Sequence, residues 1–216
     1  MNYPNAYAGV KKIRTAEILS IVVALCVGVA GGFAAAASKA EPGSDAYTGL
    51  MLAAAAPLAA AGVLSIISFI LNLVGLNKAG KDESAFKTGF LFAVLGIVAS
   101  VLASAFSKNA LLNSIASSVG KVLEMMIMLM VIQGIRNLAS LIGDREVYQK
   151  GKNLLSIICI MYIIILVVTV ASGIFGKNDT TTMIYGILSM VAAVISIVVL
   201  FTYLSYLKKA VRMLEK

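Results

Sequence analysis

The sequence predicts an all-α integral membrane protein of six transmembrane helices, on three observations. Hydrophobic residues make up 60% of the 216 and charged residues 13%, against about 45–50% and about 25% in a soluble domain. Apolar runs of at least about 18 residues, enough to cross a bilayer, recur six times. The basic residues gather in alternate connections, the pattern of cytoplasmic loops. A chain this short cannot hide so much apolar surface from water, so lipid is the expected solvent for most of it.

The first run, 17–38, follows Lys11, Lys12 and Arg14 and carries Gly28 and Gly32, a small-xxx-small pair suited to close helix packing. KKIR, an apolar run and SKA before Glu41 also resemble a secretory signal. The run from Ile18 to Ala37 is longer than the usual signal core of about 7–15 residues. Cleavage would also strand the next helix, which favours an uncleaved first span. The second run, 49–76, contains Pro57 within LAAAAPLAAAG, where a kink or a packing break is expected. Its Ala stretch 53–56, like 34–37 in the first, suits close helix approach. The remaining runs are 88–107, 110–136, 153–175 and 182–207. Short connections leave one transmembrane domain, 1–216, and no separate soluble one.

Four basic clusters fall on one side: Lys11, Lys12 and Arg14; Lys78, Lys81 and Lys87; Arg136, Arg145, Lys150 and Lys152; Lys208, Lys209, Arg212 and Lys216. The opposite connections hold only Lys39, Lys108 and Lys177, and Lys121 stands inside the fourth run. This bias predicts that both termini are cytoplasmic. The net charge of +8 is thus a topology signal and not a nucleic-acid footprint. The small, alanine-rich chain fits a bacterial inner membrane.

The exits of the second, fourth and sixth runs are alike: ILNLVGLNKAGKDE, MVIQGIRNLASLIGDRE and TYLSYLKKAVRMLEK. Each apolar helix runs on as a basic amphipathic turn to Glu83, Glu146 or Glu215. The loops GKDESAFKTG and GDREVYQKG also resemble each other. Three αα-hairpin repeats follow, about 10–80, 81–146 and 147–216, parallel about the membrane normal. Competing with this is the tendency of any inner boundary to read as apolar and then basic.

The repeat sets Glu124 against Ser65 and Ser196. At 100° per residue, Asn113, Ser117, Lys121 and Glu124 fall within about 80° of one another on the fourth helix. Glu124 would lie about 10–20 Å from the outer boundary in a core about 30 Å thick. A charge at that depth costs about 2.5–3.5 kcal/mol on insertion scales, so the stripe should face protein or water. Two readings compete. In one, Glu124 ends a polar pathway, with Lys121 as charge partner and Asn113, Ser117, Ser65 and Ser196 as lining. In the other, Lys121 and Glu124 are a self-neutralising pair at i, i+3.

Other chemistry is poorly supported. The chain has no His and no Trp, which removes imidazole catalysis and imidazole metal sites. Cys26 and Cys159 lie in apolar runs and are expected as packing residues. Met125, Met126, Met128 and Met130 could offer thioether sulfur to Cu(I), but no second Met-rich helix answers them. No Walker-type glycine loop occurs. The expectation is no enzyme, no cofactor and no metal. NDT at 178–180 is a glycosylation sequon that matters only in a eukaryotic secretory route. Function narrows to a channel or transporter for an ion or small solute, using the polar face of the fourth helix. The alternative is a membrane scaffold or accessory subunit that binds another membrane protein or a second copy through its Gly and Ala faces.

Overall fold

The computed structural model describes the backbone of residues 3–105, 110–174 and 179–215, and the side chains of 3–105, 118–163 and 195–215. The chain is all-helical: α1 Pro4–Ala37, α2 Asp45–Ala79, α3 Ser84–Ala105, α4 Ala110–Ile142, α5 Arg145–Ile174 and α6 Asp179–Glu215. No strand occurs among the described residues. The helices outrun the apolar windows, above all at the basic end, where α1 starts at Pro4 instead of 17 and α6 continues to Glu215 instead of 207. Hydropathy falls where charges begin, whereas the backbone hydrogen-bond ladder does not depend on side-chain polarity. Pro4 favours the start of α1 because its missing N–H is unpaired there in any case. α2 runs through Pro57 as one helix.

Among the described residues, four segments are long and apolar enough to cross a membrane: Pro4–Ala37, Asp45–Ala79, Ser84–Ala105 and Ser118–Ile142. Their outer surfaces fit lipid, for Leu25, Leu52, Ile66 and Leu91 stand exposed. Such a face in water would be an aggregation liability. The fifth and sixth expected spans, and the sequon at 178–180, fall largely or partly outside the described residues. Both cysteines are free, Cys26 half-buried and Cys159 exposed. Cys159 is therefore no core packing residue; it lies on the outward face of α5, where lipid would solvate a thiol as readily as protein does.

Successive helices pack as antiparallel neighbours, most extensively α1 on α2 and α3 on α4, and α6 returns to α1. The buried core gathers at the end that carries the basic connections. It includes Val10 and Ile13 of α1, Leu76 of α2, Phe86 of α3, Ile132 and Ile135 of α4, Leu154 of α5, and Tyr203 and Leu207 of α6. Glycines let the backbones meet there. A Cβ added at Gly9 would lie 2.5 Å from the Gly75 carbonyl oxygen, and one at Gly134 would lie 2.7 Å from the Phe86 ring. At Gly28 and Gly32 an added Cβ meets no described atom within 4 Å. The close α1–α2 contact therefore uses Gly9 and Gly75, at the opposite end of α1 from the small-residue pair that the sequence offers.

Polar caps finish the basic end. Asp82 accepts hydrogen bonds from Asn5 Nδ2 at 2.9 Å and from the Ala6 backbone N–H at 2.7 Å, so a loop carboxylate caps α1, where the helix dipole favours it. Asp144 caps α5 through the Val147 N–H at 3.0 Å. Asn137 donates to Glu83 at 2.8 Å. The loops that look alike in sequence turn differently, with φ −63° at Gly80 and +84° at Gly143.

Glu146 forms ion pairs with Lys150, at 2.9 Å, and with Lys209, tying the start of α5 to the end of α6. The hydrogen bond from Lys209, then that from Lys150, lowers the Glu146 carboxyl from 4.5 to about 2. A depressed carboxylate contributes stability that is complete above its ordinary value and lost as pH falls through the folded one. Hydrogen exchange in the last turns of α6 should therefore quicken as pH falls from 4.5 towards about 2, beyond the intrinsic rate change. Glu146→Gln should remove that dependence. The group is exposed, so the effect should be small and fade with salt; identical pH profiles for the two proteins would refute it.

Candidate functional site: a central cavity with two carboxylates

Above the packed end the six helices separate around a cavity of about 690 Å³, and every helix contributes lining residues. α1 presents Glu17 and Ser20, α2 Ser65, Ser68 and Asn72, α3 Ser100, α4 Glu124, α5 Tyr162 and α6 Tyr203. Ile13, Leu73 and Val131 join the wall beside the packed core. The rest is mostly aliphatic or aromatic, as at Val23, Phe69, Ile97 and Ile127.

The helix register sets the depth of the polar groups. Ser68 donates to the Ala16 carbonyl at 2.8 Å and shares a hydrogen bond with Ser20 at 2.9 Å, which puts Glu17 level with Ser68. A Cβ on Gly89 would meet Leu76 and Met130, each at 3.3 Å, so these three residues share one level. Counting outward from them at 1.5 Å per residue, Ser68 and Glu124 fall within about 3 Å of the same height. That height is about 15–18 Å from Lys78 and Arg136, whereas on α1 Arg14 lies only about 4.5 Å below Glu17, so the basic boundary comes closer to the carboxylates on α1 than on α2 and α4. Glu17 and Glu124 thus line one cavity from α1 and α4 at a similar height, Glu17 half-buried and Glu124 exposed. Tyr162 lies within electrostatic reach of Glu124, and Tyr203 of Glu17.

Of the residues singled out by sequence, Glu124 and Ser65 line the cavity. Lys121 does not: it is exposed, and the ion pairs among the described residues involve only Glu146, Lys150 and Lys209. The cavity face of α4 passes through Gly120, Leu123, Glu124, Ile127, Met128 and Val131. Lys121 sits about 60° round the helix from Glu124, away from Leu123 and Ile127. Ser196 is half-buried and donates to Met161 Sδ at 3.8 Å. The side chains of Asn113 and Ser117 lie outside the described residues.

Glu17 is the residue that hydropathy reading missed. It stands at the edge of the first apolar window, directly after a basic cluster, and so passes for a boundary charge. Ser68, Asn72 and Ser100 were hidden as isolated polar residues in apolar runs. One signal could have exposed Glu17: RTAE (14–17) repeats the basic-x-x-Glu spacing of KVLE (121–124). Asn72 also lines the cavity, and its Oδ1 is buried with no hydrogen-bond partner among the described residues. Among the described residues no group of three or more acidic or cysteine side chains could hold a metal ion.

Comparison with known proteins finds no family model, no curated protein and no solved structure that matches the chain.

Proposed function

We propose that this chain crosses the bilayer six times, as three hairpins with both termini in the cytoplasm, and carries a small charged solute through the central cavity. The observation that carries the reading is a pair of carboxylates on the wall of a space lined by all six helices. Intramembrane acids are costly, and they commonly mark ion, proton or substrate pathways. The closed basic end and the wider space above it fit a pathway shut on the cytoplasmic side. Glu124 and Glu17 bind the solute's charge, while Ser20, Ser65, Ser68 and Asn72 supply hydrogen bonds. In proteoliposomes the wild-type protein should carry solute-dependent flux across a panel of ions and charged solutes at two pH values. Glu124→Gln, folded and reconstituted at equal density, should carry almost none. Undiminished flux in that variant would remove Glu124 from the pathway.

One observation favours a second reading, a membrane subunit that docks on another membrane protein or on a second copy. Gly28, Gly31 and Gly32 of α1 and Gly49 and Gly62 of α2 stand exposed, and an added Cβ there meets no described atom. Small residues of this kind suit close helix approach between chains. Recovery of a stoichiometric partner from native membranes, with no flux by the isolated protein, would favour this reading over transport.

A further inference from the structure

We infer that the cavity between Glu17 and Glu124 takes an organic cation, an ammonium or similar centre carried on an apolar body. The inference rests on the transport reading of this cavity and names the class of its solute.

Charge comes first. Two carboxylates face the space, and among the described residues no Lys or Arg lines it. Neither carboxylate has a hydrogen-bond or ion-pair partner among the described residues. Two carboxylates on the wall of one cavity attract positive charge between them. The described lining therefore favours a cation over an anion.

Size and wall chemistry then choose among cations. A hard metal ion takes about six to eight oxygens at about 2.3–2.6 Å, and about 30 Å³ suffices for a water. The space here is about 690 Å³, within the range of about 300–1,000 Å³ of pockets for small organic molecules. Most of its wall is apolar, with Phe69 and Tyr162 as aromatic surface. Apolar walls solvate a hydrocarbon body, and aromatic rings hold ammonium groups by cation–π attraction.

The test uses the full chain in lipid nanodiscs and ethidium as probe, followed by fluorescence polarisation with the signal of empty nanodiscs subtracted. Saturable binding is expected, displaced by tetraphenylphosphonium. Glu17→Gln and Glu124→Gln should each weaken it about tenfold or more, since each removes one of the two charges that hold the cation. Lys121→Ala should leave it unchanged. Gly96→Phe, which fills the cavity from α3 without altering either carboxylate, should abolish binding and serves if a Gln variant fails to fold. Binding no greater than to empty nanodiscs, or equal in the Glu17→Gln/Glu124→Gln double variant, overturns the inference. Glu124-dependent flux of K⁺, Mg²⁺ or Ca²⁺ without ethidium binding also overturns it while leaving the transport reading intact. Ethidium binding without ethidium flux sustains the inference and removes transport.

Discussion

Glu17→Gln should cost as much flux as Glu124→Gln, about 100-fold each, and the double variant should be little worse than either alone. The two residues lie far apart in sequence, yet they reach one cavity at one height, where their charges interact. If both hold the same solute, removing one dismantles the site and leaves the second with little to contribute. Residues that act as a unit are strongly non-additive in this way. A 100-fold loss corresponds to about 2.8 kcal/mol of lost binding to the solute's charge. The measurement is a double-mutant cycle of initial flux rates in proteoliposomes, with reconstitution density and far-UV circular dichroism matched. Purely multiplicative losses would mean two separate sites. Full activity in Glu17→Gln alone would confine the site to α4.

The second large effect concerns assembly. Gly9→Ala should destabilise the bundle by about 2 kcal/mol, within the range for overpacking, and lower its thermal midpoint by about 4–8 °C. Gly9→Leu should prevent α1 from docking at all. The reason is the identity of the obstructing atoms. An added Cβ at position 9 would meet the Gly75 carbonyl oxygen at 2.5 Å and the Ala79 backbone nitrogen at 2.7 Å. Backbone atoms cannot rotate aside as a side-chain tip can, so the helices must part. Parting them also disturbs the cap that Asp82 places on α1 and the Ser68 bond to Ala16. Gly28→Ala, whose Cβ meets no described atom, is the control and should be nearly neutral. Equal midpoints for the two alanine variants, measured in the same detergent, would show that the α1–α2 seam does not depend on Gly9.

How much of this was legible beforehand differs from helix to helix. Helix identity was plain wherever apolar runs exceeded the length of a span, and each run is helical over its described residues. The extra turns at the basic end were not, because windows of hydropathy stop at Lys and Arg while the backbone ladder continues. On α4, wheel geometry grouped Glu124 with Asn113, Ser117 and Lys121 but could not say which way the group faced. Lys121 lies close to Glu124 on the wheel, yet it falls just past the edge of the lining arc.

Composition and periodicity determined the solvent, the helical class and the concentration of charge at one set of ends. Those properties follow from transfer free energy and from hydrogen bonding within each segment, both local to the chain. Only the tertiary structure decided that Glu17 of α1 meets Glu124 of α4 across one cavity, and that Gly9 rather than Gly28 makes the close contact with α2. Such facts depend on the register and rotation of helices against one another. Those are settled by the summed packing of many small and large side chains, a sum that no single stretch of sequence contains.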